Sequence, residues 1–74
     1  MKEKSELAIR LKQLRKDMGV TSSKVSQAIG VKNSTYRRYE IDTMPKIETF
    51  IALSQYFCVS VDYLIGNKLD KAKS

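Results

Sequence analysis

The sequence predicts an all-α fold, a compact bundle of five short helices. Three observations lead there. Apolar residues recur three or four positions apart, the spacing of one helix face. The central stretch, residues 31–40, lacks the alternation of apolar and polar residues that a half-buried strand shows. Ser or Thr stands ahead of several apolar runs and Gly just behind them, which divides the 74 residues into helix-length pieces.

The first piece covers residues 5–18. Leu7, Leu11, Leu14 and Met18 step by four, three and four and share one face. Ser5 is the expected N-cap and Gly19 the stop, while Ile9 falls off the face and is expected to be partly exposed. Thr21 caps the second piece, which turns Val25, Ala28 and Ile29 inward and ends at Gly30. At about two turns it is too short to be stable unless docked. The third piece follows Gly30, with Asn33 as its expected cap. Tyr36 and Tyr39 are three apart, so a helix puts them on one face and a strand on opposite faces. The helical reading sends Lys32, Asn33, Arg37 and Arg38 to the outward flanks.

Residues 41–45 connect to a fourth piece. Pro45 marks its start, and Ile47, Phe50, Ile51, Ser54 and Phe57 lie along one side. Cys58 and Val59 end it, and the single cysteine is expected to be buried or inert rather than a thiol sensor. Ser60 caps a last short helix, with Asp62 near its positive end, Leu64 inward and Gly66 as the stop. The expected organisation is one domain over residues 1–66 and a basic, flexible tail over residues 67–74.

Composition narrows the function. Fourteen Lys and Arg against eight acids give a net charge of +6 and a pI near 9.6. Residues 1–40 carry ten bases and four acids, whereas residues 41–66 carry one base and three acids. Such a polarised excess favours a polyanionic partner. With one cysteine and no histidine, neither an intrachain disulfide nor a Cys/His zinc site is possible, and a reducing, cytoplasmic setting fits. No cofactor is expected. Membrane insertion is not expected either, because no stretch approaches the roughly 20 apolar residues a span needs. Catalysis is disfavoured: there is no histidine, and Asp17, Glu40 and Asp42 are scattered, with roles in capping, pairing and turns.

Two short helices joined by a tight Gly turn inside a small bundle are a helix-turn-helix arrangement. Five runs occur in order: L-K-Q-L-R-K-D-M-G-V-T, V-S-Q-A-I-G-V, S-T-Y-R-R-Y-E, M-P-K-I-E-T-F-I-A-L and V-S-V-D-Y-L-I-G. At this spacing, over residues 7–66, the chain resembles the Cro/CI-type (XRE-like) helix-turn-helix family of bacterial and phage repressors. The resemblance implies a lambda-repressor-like DNA-binding domain, a sequence-specific regulator that acts as a repressor. Its partner would be double-stranded DNA carrying a pseudo-palindromic operator, bound by a homodimer, with Tyr56, Val61, Tyr63 and Ile65 as candidate dimer contacts. The alternative is an antitoxin or other protein-interaction module built on the same bundle.

By the same resemblance, Lys32, Asn33, Ser34 and Arg37 map to positions that read the major groove, with Arg38 beside them and Thr35 in either a base or a phosphate role. The chemistry suits the task. Arg and Lys bridge guanine O6 and N7, and Asn pairs with adenine N6 and N7. Ser22 stands where the family has a phosphate-contacting Gln. Ser22 or Ser23 can donate a hydrogen bond there with shorter reach. Ser26 stands where a small residue allows the two helices to cross. Arg15 and Glu40 match an ion pair that joins the first helix to the end of the reading helix. The chain departs from the family in having tyrosines at two core positions, a Gly-free loop at residues 41–44 and Cys58 where Gly or Asn is common. It reads either as a minimal regulator or as the DNA-binding half of something longer.

Overall fold

The computed structural model describes residues 6–66, so Ser5 as a cap and the tail at 67–74 lie outside the described residues. Within them the chain forms five α-helices: α1 (Glu6–Met18), α2 (Ser22–Ile29), α3 (Asn33–Tyr39), α4 (Ile47–Phe57) and α5 (Val61–Ile65). None is long and apolar enough to cross a membrane.

The helix ends follow local chemistry. The Thr21 hydroxyl accepts from the Lys24 amide at 3.1 Å, and the Ser60 hydroxyl accepts from the Tyr63 amide at 2.9 Å. Each satisfies one of the donors that a helix start leaves without an intrahelical partner. Gly66 adopts φ +92 where α5 meets the start of α1. A Cβ there would lie 2.8 Å from the Glu6 Cβ, so both the backbone and the space demand Gly. Cys58 takes the same left-handed role at the end of α4, with φ 59, and its side chain is exposed, not buried.

Leu7, Leu11, Val25, Tyr36, Tyr39, Phe50, Leu53, Phe57 and Leu64 form one core drawn from all five helices. α2 packs on α3 and α4, and α5 closes the bundle against α1 and α4. Ser26 is buried at the crossing, and its hydroxyl donates to the Ser23 carbonyl at 2.9 Å, so the small polar residue fits without an unpaired group.

Several positions differ from the sequence expectation. Lys32, not Asn33, is the N-cap of α3, and it makes no side-chain capping bond. Ala28 is exposed. At about 100° per residue, Val25, Ser26 and Ile29 fill one sector of α2 and Ala28 falls outside it. Met18 is exposed because it ends α1, where Leu14 and Val20 already pack the margin of the core. In α4 the buried line is Phe50, Leu53 and Phe57; Ile47 and Ile51 are exposed. Two apolar faces coexist on α4, and only docking against α2 and α5 selects one of them.

Candidate nucleic-acid interface

The site is built around α3. The turn into it is made by Gly30 at φ 79, whose amide donates back to the Gln27 and Ser26 carbonyls, while the Val31 amide donates to the Ser26 carbonyl at 3.0 Å. This left-handed stop ends α2 and lets α3 start three residues later at a new angle. Tyr36 is fully buried and Tyr39 nearly so, with their rings edge to face at 6.2 Å between centroids. These two rings anchor α3 in the core.

The opposite sector of α3 is exposed. Lys32, Asn33, Ser34, Arg37 and Arg38 are all in solvent, and Thr35 is half-buried at the boundary. Asn33 and Arg37 are one turn apart, as are Ser34 and Arg38, so the four define a single polar strip. Ser23 is exposed and Ser22 half-buried at the start of α2.

Behind the strip lies a polar network. Arg15 Nε donates to Glu40 Oε2 at 2.8 Å and Nη2 donates to Oε1 at 3.2 Å, while Nη1 reaches the Val20 carbonyl at 3.4 Å. The Tyr36 hydroxyl donates to the same Glu40 Oε2 from inside the core. The hydrogen bonds that Arg15 donates to Glu40 hold its guanidinium protonated even more firmly than usual. Burial, then the Glu40 hydrogen bond, push the Tyr36 phenol well above its ordinary pKa. The network joins α1, the α1–α2 connection and the C-cap of α3.

A cleft of about 320 Å³ opens beside it, lined by Lys12, Arg15, Ser22, Arg37, Glu40 and Ile41. Of the predicted site residues it brings together Ser22, Arg37 and the Arg15–Glu40 pair, while Ser23, Lys32, Asn33, Ser34, Thr35 and Arg38 lie outside it. Arg15 and Glu40 compensate each other, so that Lys12 and Arg37 are the cations of the cleft with no ion pair among the described residues. Sequence reasoning missed Lys12 as part of the site. The signal was present, since Lys12 lies three residues before Arg15 and therefore on its face. The Tyr36 hydroxyl was expected at the edge of the core, but Glu40 as its partner was missed, although the two lie four residues apart and so one helical turn from each other. In the Gly-free connector, the amides of Ile41, Asp42 and Thr43 all donate to the Arg38 carbonyl at 3.0 Å. Those amides are spent on closing α3 and are not turned outward.

A short helix ended by a left-handed Gly, turned into a second helix with a cationic outer strip, defines a helix-turn-helix protein. The chain belongs to the helix-turn-helix family, whose model matches residues 11–64. It is similar to the uncharacterized HTH-type transcriptional regulator YobD of Bacillus subtilis (strain 168), 36% identical over 58 residues, covering 77% of this chain and 52% of that protein. It is also similar to the HTH-type transcriptional regulator ImmR of the same organism, 34% identical over 61 residues, covering 81% of this chain and 48% of ImmR. Thus the chain spans about half the length of the curated relatives it matches. Among solved structures, a transcriptional regulator from Listeria innocua aligns with a TM-score of 0.76 and 33% identity, covering 81% of this chain and 57% of that one. The SinR protein/SinI protein complex contains a chain that aligns with a TM-score of 0.75 and 30% identity, covering 88% of this chain and 65% of that one.

Proposed function

We propose that this chain is the DNA-binding part of a transcription regulator, a repressor, that reads the major groove with α3. The observation that carries the reading is the division of α3 into a buried tyrosine face and an exposed strip of Lys32, Asn33, Ser34, Arg37 and Arg38. In this reading Asn33 and Arg37 contact base edges and Ser34 and Thr35 support them. Ser22, Ser23 and Lys12 contact phosphates and set the register. A homodimer on a pseudo-palindromic operator places two copies of α3 roughly 34 Å apart on one face of the duplex. Support for the class comes from the named regulators that share its sequence and fold.

The test is selection of bound duplexes from a random DNA pool, followed by the same selection with variants. Asn33→Ala and Arg37→Ala are expected to change the preferred bases, and Lys12→Ala to weaken all duplexes evenly. A wild-type protein that enriches no motif overturns the reading.

A further inference from the structure

Tyr36 does more in this structure than fill the core. Its ring is fully buried, yet its hydroxyl comes out at the Glu40 carboxylate. Glu40 is one turn further along the same helix, so this bond does not itself tie two helices together. It selects the orientation of the carboxylate. That carboxylate then receives Arg15 through two nitrogens, and Arg15 is the link from α3 to α1. A guanidinium matches a carboxylate in a planar fork, and the match tolerates little rotation of either group. No buried side-chain nitrogen or oxygen among the described residues lacks a partner, so the network is closed.

We propose that Tyr36 is a positioning residue: its hydroxyl locks the Glu40 rotamer that Arg15 grips, sets the pitch of α3 against α1, and thereby governs base discrimination more than overall DNA affinity. The proposal rests on the DNA-reading function above. The phosphate contacts assigned to Lys12, Ser22 and Ser23 stand on α1 and α2, so a small tilt of α3 leaves them in place. Paired contacts to base edges do not, because each needs two hydrogen bonds aligned at once.

The experiment compares wild type, Tyr36→Phe, Glu40→Gln and the double variant on the selected duplex and on a scrambled one. Tyr36→Phe keeps the ring in place and removes only the oxygen. It is expected to lower the ratio of selected to scrambled affinity by about ten-fold, the scale of one hydrogen bond to a charged group. Scrambled-duplex affinity and its salt dependence stay at the wild-type values. In the Glu40→Gln background the same substitution is expected to add nothing, since Tyr36 acts through Glu40. An unchanged ratio in Tyr36→Phe, or a loss that simply adds to that of Glu40→Gln, overturns the proposal. A second readout needs no DNA: the Arg15 Nε–H proton signal in NMR, expected to be slow to exchange in wild type and fast in Tyr36→Phe. Equal exchange in both proteins also overturns the proposal. If wild type itself shows no preferred duplex, the DNA reading fails and the proposal with it, and the exchange measurement then tells whether the Tyr36–Glu40 contact alone is real.

Discussion

Cys58 shows what a single side chain costs in the wrong backbone well. Its φ of 59 belongs to the left-handed region, where a Cβ crowds the following carbonyl. Its exposed sulfur reaches the Gln55 carbonyl at 3.8 Å, a weak bond that offsets little of this. Cys58→Gly is therefore expected to raise the unfolding free energy by about 1 kcal/mol, measured by urea titration. Tyr36 carries a different signature. Its phenol is held above the ordinary value by burial and then by Glu40, so the fold favours the protonated form. A raised pKa contributes stability that is complete below the unfolded tyrosine value near about 10 and is lost as pH climbs above it. Wild type is expected to lose more stability than Tyr36→Phe between neutral pH and the alkaline range. Parallel pH profiles for the two proteins refute the assignment.

The two helices of the motif owe their existence to different things. α2 has eight residues and is held by its cap and by its neighbours. Thr21→Ala is expected to cost about 1 kcal/mol, read as a lower thermal midpoint. α3 has seven residues and no side-chain cap, so its orientation depends on the tyrosine face and on the Arg15–Glu40 pair. The pair is mostly buried, with the Glu40 side chain 10% exposed and that of Arg15 21%. Removing Arg15 strands a carboxylate that has lost most of its water, which costs up to about 3 kcal/mol at such sites. Arg15→Ala is accordingly expected to weaken binding to the selected duplex more than Lys12→Ala, because it lets α3 tilt away from the base edges where Lys12→Ala removes one phosphate contact. Equal losses in a titration refute the idea that the pair mounts the helix.

Charge is divided between the two halves of the chain. Seven of the ten bases in residues 1–40 stand on α1, α2 and α3 beside two acids, while α4 and α5 belong to the acidic stretch. A duplex that approaches α3 meets the cationic half first. Affinity is expected to fall steeply with salt, with a log–log slope of about −0.9 for each phosphate neutralised. Lys12→Ala is expected to reduce that slope by about one phosphate. A partner held by an apolar surface leaves binding nearly insensitive to salt, and that result favours a protein-interaction module instead.

How much was legible in advance follows from how local each cause is. Thr21, Ser60 and the three Gly stops act over three or four residues, and helix boundaries inferred from them agree with the structure within a residue or two. The spacing of Tyr36 and Tyr39 likewise identified the buried face of α3 and, by exclusion, its outer strip. The choice between the two apolar stripes of α4 was not legible, nor was the exposure of Ala28 and Met18. Periodicity marks a stripe but cannot say which neighbour covers it. The meeting of Lys12, Arg15, Ser22, Arg37 and Glu40 at one cleft was hidden for the same reason. By itself the sequence determined the helices, their ends and the character of each face, because those depend on nearby residues. Only the tertiary structure decided which faces close the core and that Lys12, Arg15, Ser22, Arg37 and Glu40 meet at one cleft, because these depend on how distant helices pack.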